Sequence, residues 1–163
     1  MEVVVRAYGL EDIPAMMEIW NTVIREGNAF PQLEELGEEE AKELFGAQSY
    51  TGVAVEKGEL LGLYILHPNN VGRCAHIANA SYAVRKDCRG KGIGELLVRD
   101  SLKQGQELGF TRVQFNAVVS TNRGAIKLYE KLGFHRLGTI SDGFLAGDGS
   151  YRDIILFWIE LSL

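Results

Sequence analysis

A glycine-rich segment places the strongest constraint on the fold of this 163-residue chain. It reads Cys-Arg-Gly-Lys-Gly-Ile-Gly-Glu-Leu-Leu over residues 88–97 and follows an alternating apolar run over residues 77–84. Apolar residues then recur at helical spacing as far as Leu108. The pattern predicts a strand, a glycine turn and a helix. In such an arrangement, the backbone N–H groups of the turn converge on an anion at the positive end of the helix.

Three anion-binding designs use glycine turns of this kind. A Walker A loop needs Ser or Thr directly after its lysine to hold Mg²⁺, whereas Gly92 follows Lys91. The dinucleotide fingerprint belongs to the first strand of a domain, but three predicted strands precede the strand that leads into this turn, and no acid stands where the ribose partner is expected. The third design, R-x-x-G-x-G, is matched by Arg89, Gly92 and Gly94, and it holds the pyrophosphate of coenzyme A on the amides of residues 89–94. A tight turn without a ligand is the alternative interpretation.

Composition and charge exclude several classes of protein. The length is most simply that of one domain over residues 1–163, and no run approaches the ~18 apolar residues of a membrane span. A net charge of −5 and a pI of about 5.3 oppose nucleic-acid binding. The amino terminus has an early acid and no secretion signal, so we expect a cytoplasmic protein. The two cysteines and three histidines lack metal-ligand spacing, and we expect no metal site.

Periodicity over the rest of the chain predicts a mixed α/β domain in the order β-α-α-β-β-β-α-β-α-β-β. Helices are predicted from Asp12, over residues 38–47, after the glycine turn and over residues 122–132. Strands are predicted over residues 3–8, 52–56, 60–66, 77–84, 113–119, 134–140 and 151–159, with a glycine-rich loop over residues 141–150.

A second motif begins some thirty residues after the glycine turn. Residues 122–134 fit the pattern N-x-x-A-x-x-L-Y-x-K-x-G-F at every fixed position: Asn122, Ala125, Leu128, Tyr129, Lys131, Gly133 and Phe134. With the glycine turn, this motif resembles the GCN5-related N-acetyltransferase (GNAT) superfamily. The resemblance implies a central, mostly antiparallel sheet of about seven strands flanked by four helices and splayed between the fourth and fifth strands. It also implies transfer of an acetyl group from acetyl-CoA to an amine, and it is compatible with a homodimer.

The resemblance assigns the binding of the co-substrate to three segments. Backbone groups of Tyr82, Ala83 and Val84 would hold the pantetheine and polarise the acetyl carbonyl. The turn residues Arg89, Gly90, Lys91, Gly92, Ile93 and Gly94 would hold the pyrophosphate. Asn122 would contact the pantetheine and cap its helix, and capping alone is an equally good interpretation.

Tyr129 matches the general acid of the family, and a packed core tyrosine is the alternative. An unperturbed phenol pKa of ~10 exceeds that of a thiol, ~8.5, so full proton transfer to the leaving thiolate is uphill by about 2 kcal/mol. We therefore expect Tyr129 to hydrogen-bond the developing thiolate in a dry site, or to have a lowered pKa.

The general base is not assigned by the sequence. Many relatives place a glutamate on the strand before the glycine turn, but residues 76–84 contain no carboxylate. Deprotonating a lysine-like amine at neutral pH costs roughly 4–5 kcal/mol. His76 or ordered water could accept that proton, and a strand-edge histidine satisfied by its surroundings is the alternative for His76.

The acceptor side is predicted from asparagines and aromatic residues. Asn79, Asn116 and Asn122 are spaced as in fungal acetyltransferases that modify azetidine-2-carboxylate and related proline analogues, which would make Asn79 a catalytic and substrate-orienting residue and Asn116 a substrate contact. Strand asparagines bonded to backbone are the alternative. Trp20 and Phe30 are expected to overlie the acceptor pocket.

The favoured function is acetylation of a small amine or imino acid by direct attack in a ternary complex. The alternatives are a protein or peptide acetyltransferase and a non-catalytic acyl-CoA-binding module.

Overall fold

Eleven helices and strands appear in the predicted order in the computed structural model, which describes residues 2–162. The four helices and seven strands are β1 (Val4–Ala7), α1 (Ile13–Glu26), α2 (Glu38–Gly46), β2 (Tyr50–Glu56), β3 (Glu59–Pro68), β4 (Ile77–Val84), α3 (Ile93–Glu107), β5 (Arg112–Val119), α4 (Arg123–Lys131), β6 (His135–Leu145) and β7 (Tyr151–Glu160). No helix in this part of the chain is both long and apolar enough to cross a membrane.

Local signals fix several of these boundaries. Pro14 lies in the first turn of α1, where its missing N–H costs no hydrogen bond. Asn122 caps α4, because its side-chain oxygen accepts the N–H of Ala125 at 3.4 Å. The β2–β3 hairpin turns at Lys57 and Gly58, both with positive φ (50° and 80°), as a two-residue turn of the primed type requires.

The sheet is split between β4 and β5. Its strand order is β1-β2-β3-β4-β5-β7-β6, and β4 with β5 is the parallel pair in an otherwise antiparallel sheet. That pair is aligned only at Ile77 with Arg112 and Ala78 with Val113. Beyond these residues the strands separate, and β5 has an irregularity between Phe115 and Val118 in its pairing with β7. The splay implied by the GNAT resemblance is therefore present.

Two helices cover each face of the sheet. α1 and α2 bury an apolar cluster on one face, centred on Trp20, Phe45 and Leu63. α3 and α4 bury a second cluster on the other face, which includes Leu97 and Phe157. The split between β4 and β5 thus lies between two helical layers, with α1 on one side and the starts of α3 and α4 on the other.

The expectation of a loop over residues 141–150 was wrong for its first half. β6 continues to Leu145, and the connection to β7 is confined to residues 146–150. The glycines of this segment suggested a loop, but it pairs with β7 through irregular register, and the irregularity includes Asp142 at a positive φ of 53°. Pairing with a neighbouring strand outweighs local turn propensity here.

Candidate active site

The split in the sheet opens into a cleft of about 830 Å³. One wall is the end of α1, and the other walls are β4, the glycine turn and the first turns of α3 and α4. Of the residues predicted for the site, nine line it: Tyr82, Val84, Arg89, Gly90, Gly92, Ile93, Gly94, Asn122 and Tyr129. This volume falls in the range of ligand-binding clefts.

The glycine turn presents unobstructed backbone donors to the cleft. Gly90 and Gly92 have φ of 78° and 84°, and a Cβ added at either position would meet no atom within 4 Å. The N–H groups of residues 89–95 donate to no protein acceptor within residues 2–162, whereas the N–H of Leu96 already bonds to the Gly92 carbonyl at 3.3 Å. These free donors and the positive end of α3 suit a phosphate group.

Two residues of β4 direct their backbone groups into the split. The Arg85 N–H donates to the Leu61 carbonyl of β3 at 2.8 Å, and backbone groups alternate between the two neighbouring strands. Tyr82 and Val84 therefore face the gap, where β5 no longer pairs with them. A ligand chain in the gap could pair with them as a strand would.

Two of the predicted co-substrate contacts are placed differently. Ala83 pairs with β3, and its side chain is buried beneath α1, so it does not line the cleft. Lys91 is exposed and also lies outside the cleft lining, although its backbone belongs to the turn. The sequence motif does not distinguish either position from its neighbours. For Ala83 the reason is that the direction of its backbone groups depends on which strands flank β4.

Arg89 forms a two-pronged ion pair across the cleft with Glu26. The distances are 2.9 Å from Nη1 to Oε2 and 2.8 Å from Nη2 to Oε1, and Nε of Arg89 also bonds to the Val84 carbonyl at 3.3 Å. The hydrogen bond from Arg89 lowers the pKa of Glu26, against the opposing effect of burial. Glu26, a cleft carboxylate that the sequence reasoning missed, is therefore an ion-pair partner and not a free base. The one feature of the sequence that could have pointed to Glu26 is its position directly before Gly27, the glycine at which α1 ends.

Tyr129 lies at the base of the cleft among aromatic rings. The centroids of Phe115, Phe134 and Phe157 are 4.6, 5.4 and 5.8 Å from its own. Burial raises the pKa of Tyr129 above its ordinary value, so the alternative of a lowered pKa is not supported. No hydrogen-bond partner for its hydroxyl occurs among residues 2–162, while the neighbouring Tyr82 hydroxyl is engaged with Ser101 Oγ at 2.7 Å. Tyr129 is thus a neutral phenol able to donate a hydrogen bond in the cleft.

Asn79 and Asn116 are joined by a third asparagine, Asn69, which lies between the predicted strands over residues 60–66 and 77–84 and was not predicted for the site. The Oδ1 atom of Asn69 accepts hydrogen bonds from Nδ2 of Asn79 at 3.2 Å and Nδ2 of Asn116 at 2.6 Å. We call these three residues the amide cluster. It lies where β4 and β5 begin to separate, beside the cleft and outside the residues that line it. The alternative of a backbone-bonded strand asparagine holds in part for Asn79, whose Oδ1 accepts the Ala80 N–H at 2.8 Å.

Trp20 and Phe30 are placed in or beside the core and not over the cleft. Trp20 is 1% exposed, and its ring packs 4.4 Å from that of Phe30 and 5.8 Å from that of Phe45. Phe30 lines a smaller groove, of about 360 Å³, between the α1–α2 connection and the end of β6. Neither residue lines the cleft, so we do not carry them forward as substrate contacts. An apolar stripe on α1 serves core packing as readily as a pocket.

The histidines do not supply a base within the cleft. His76 is exposed just before β4, while His67 pairs directly opposite Asn79 on β3, with Nδ1 2.9 Å from the Pro68 carbonyl. Neither lines the cleft. Within residues 2–162 no group of three or more His, Cys, Asp or Glu side chains is arranged to hold a metal ion.

The split sheet and the glycine turn at the start of α3 together define an anion-binding cleft with a protonated tyrosine at its base. The family model of the acetyltransferase (GNAT) family matches residues 13–134, and the chain belongs to this family. It is 40% identical over 102 residues to the N-acetyltransferase aca1 of Schizosaccharomyces pombe, a match that covers 62% of this chain and 49% of that protein. The match thus spans about half the length of this curated relative.

Solved structures have the same fold over nearly the full length. A GCN5-related N-acetyltransferase from Kribbella flavida superposes with a TM-score of 0.91 at 34% identity, covering 98% of each chain. A phosphinothricin acetyltransferase from Sinorhizobium meliloti, solved in complex with acetyl-CoA, superposes with a TM-score of 0.92 at 20% identity, covering 99% of this chain and 90% of that one. At that identity the second likeness concerns the fold alone.

Proposed function

We propose that this protein is an acetyl-CoA-dependent N-acetyltransferase that acts on the amine of a small molecule. The observation that carries the proposal is the cleft itself, in which backbone groups of β4 that pair with no neighbouring strand lead from the glycine turn toward Tyr129. Family membership gives the reaction class, and the free donors of residues 89–95 give the place for a diphosphate.

The chain would bind acetyl-CoA mainly through its backbone. The pyrophosphate would lie against the N–H groups of residues 89–95, and Arg89 would exchange part of its pairing with Glu26 for a phosphate. The pantetheine would run along Tyr82 and Val84, whose backbone groups face the split. Asn122 lies at the edge of this path. Its Oδ1 accepts from Ala125 and keeps a second acceptor position, and its Nδ2 group supplies donors, so either atom could contact the pantetheine.

The proposed reaction is a direct attack of the acceptor amine on the thioester while both molecules are bound to the protein. The amine nitrogen forms a bond to the thioester carbonyl carbon, and the carbon–sulfur bond then breaks. Tyr129 would donate a hydrogen bond to the departing sulfur, since burial keeps its phenol protonated. The proton lost by the amine would leave through water in the open cleft, because the cleft carboxylates Glu26 and Glu95 are both held in ion pairs.

The acceptor is proposed to be an amino acid or imino acid, including proline analogues of the azetidine-2-carboxylate type. Support comes from Asn79 and Asn116, whose side chains meet through Asn69 beside the split. In this proposal Asn79 orients the attacking molecule and Asn116 borders its site.

An acceptor screen tests the function. Purified protein and acetyl-CoA would be incubated with amino acids, proline analogues, polyamines and peptides, with free CoA thiol as the readout. We expect thiol release with small amines or imino acids. Release with peptides alone would indicate a protein acetyltransferase. CoA binding by calorimetry with no release across the panel would indicate a non-catalytic acyl-CoA-binding module.

A further inference from the structure

We infer that the amide cluster of Asn69, Asn79 and Asn116 binds the carboxylate of the acceptor, with Asn69 as its specificity-determining residue. The inference rests on the proposed acetyltransferase function and deepens it by selecting acceptors that carry both an amine and a carboxylate.

Asn69 links the two strands that the split separates. It lies in the β3–β4 connection, where its own N–H donates to the Ile77 carbonyl at 2.8 Å. From this anchored position its Oδ1 holds Asn79 on β4 and Asn116 on β5. Ala78, the last residue of β4 that aligns with β5, directly precedes Asn79, and its partner Val113 precedes Asn116 on the same strand. The cluster therefore closes the narrow end of the split with side-chain amides.

The hydrogen bonds within the cluster leave an excess of donors. Both acceptor positions of Asn69 Oδ1 are used by its two neighbours. The Oδ1 of Asn79 accepts the Ala80 N–H at 2.8 Å, and the Oδ1 of Asn116 accepts Nε2 of Gln114 at 2.9 Å. The Nδ2 group of Asn69 makes no bond within residues 2–162, and those of Asn79 and Asn116 each make only the bond to Asn69. The free N–H groups therefore outnumber the acceptor positions that remain, one each on Asn79 Oδ1 and Asn116 Oδ1, and the surface suits an oxygen acceptor better than an amine.

The cluster lies on the side of the sheet from which an acceptor could enter. Ala78 and Ala80 face the α3 layer, so Asn79 between them faces the α1 side, as Ala83 does. The cleft reaches the same side through Val23 and Asn28. An acceptor entering there could place its amine toward the thioester and its carboxylate on the amides. Charge-assisted bonds to a carboxylate are stronger than those to a neutral oxygen.

The test compares acceptor pairs that differ only in the carboxylate: azetidine-2-carboxylate with azetidine, and proline with pyrrolidine. Asn69→Asp keeps an oxygen that accepts from Asn79 and Asn116 but replaces the free N–H donors with a second oxygen. Asn70→Asp is the matched control, because it adds the same charge one residue away at an exposed position whose Oδ1 bonds only locally to the Val71 N–H. We expect Asn69→Asp to lower kcat/KM for the acids by about 10- to 100-fold, the loss of one or two charge-assisted bonds. The amines should change less than about threefold, and the KM for acetyl-CoA should not change.

Each outcome decides one of the two claims. A wild-type protein that acetylates the amines as well as the acids, or an Asn69→Asp variant that keeps the preference for acids, overturns the carboxylate assignment and leaves the proposed function intact. Equal losses for acids and amines in Asn69→Asp, or equal effects of Asn70→Asp, also overturn it, since the role would then be structural. Absence of thiol release by the wild type with every acceptor overturns the proposed function itself.

Discussion

Replacing Gly92 by glutamate separates the structural role of the glycine turn from its role in binding. Gly92 has φ of 84°, and a side chain there would project into open space beside the free N–H groups. Gly58, in the β2–β3 hairpin, has φ of 80° and equally open surroundings, but it lies outside the cleft. Gly58→Glu is therefore a control with the same backbone strain and the same added charge.

The expected magnitudes differ between folding and binding. A non-glycine residue in the left-handed region costs roughly 1–2 kcal/mol, so both variants should unfold about 2–8 °C below the wild type. A carboxylate about 5 Å from a phosphate charge is repelled by about 1–3 kcal/mol, for an effective dielectric constant between that of water and about 20. Gly92→Glu should therefore weaken CoA binding by about 5- to 150-fold, and Gly58→Glu should leave it unchanged.

Isothermal titration calorimetry with CoA, together with thermal unfolding of each free variant, measures both effects. A Gly92→Glu protein that binds CoA as tightly as the wild type would refute the placement of the diphosphate on this turn. Weakened binding in Gly58→Glu would show that backbone strain, and not charge at the site, controls affinity.

Three further predictions follow from ion pairs and from the buried phenol. Tyr129→Phe should lower kcat by about 100-fold or more, as expected for a lost proton or hydrogen-bond donor, with little change in CoA affinity; equal turnover in the thiol-release assay would exclude its role as an acid. Glu26→Gln should tighten CoA binding a few-fold by freeing Arg89 for phosphate, and calorimetry that shows weaker binding would contradict this competition. Asp12→Asn should destabilise the protein at neutral pH by about 1–2 kcal/mol, because the hydrogen bond from Arg6 lowers the pKa of Asp12. Since the folded-state pKa is lowered, this contribution is present above the ordinary aspartate pKa of ~4 and is lost as pH falls through the lowered value; urea unfolding that shows the same deficit at pH 3 as at pH 7 would contradict the assignment.

The glycine turn could be predicted because its signals are local. Alternation over residues 77–84, the glycines at 90, 92 and 94 and the helical periodicity after them all act within about thirty residues. The structure has β4 over Ile77–Val84 and α3 from Ile93, in agreement with that prediction. The same holds for α4, whose cap at Asn122 and end before Gly133 were both predicted.

Residues distant in the chain account for most of what sequence reasoning missed. Glu26 and Arg89 are 63 positions apart, and Asn69 and Asn116 are 47 positions apart. Neither pairing has a periodic signal, because each depends on where α1 ends relative to the turn and on how the β3–β4 connection crosses the split. The burial of Trp20 was missed for a related reason, since one apolar stripe on a helix suits either a core or a pocket.

The amino-acid sequence by itself determined the order of the elements, the glycine turn and the motif that ends in Gly133 and Phe134, because propensity, capping and backbone freedom act over a few neighbouring residues. Tertiary structure alone decided that Arg89 pairs with Glu26, that Asn69 joins Asn79 to Asn116, and that Ala83 turns away from the cleft. Those outcomes depend on strand register and on which layers flank the sheet, and both are set by the packing of the whole domain.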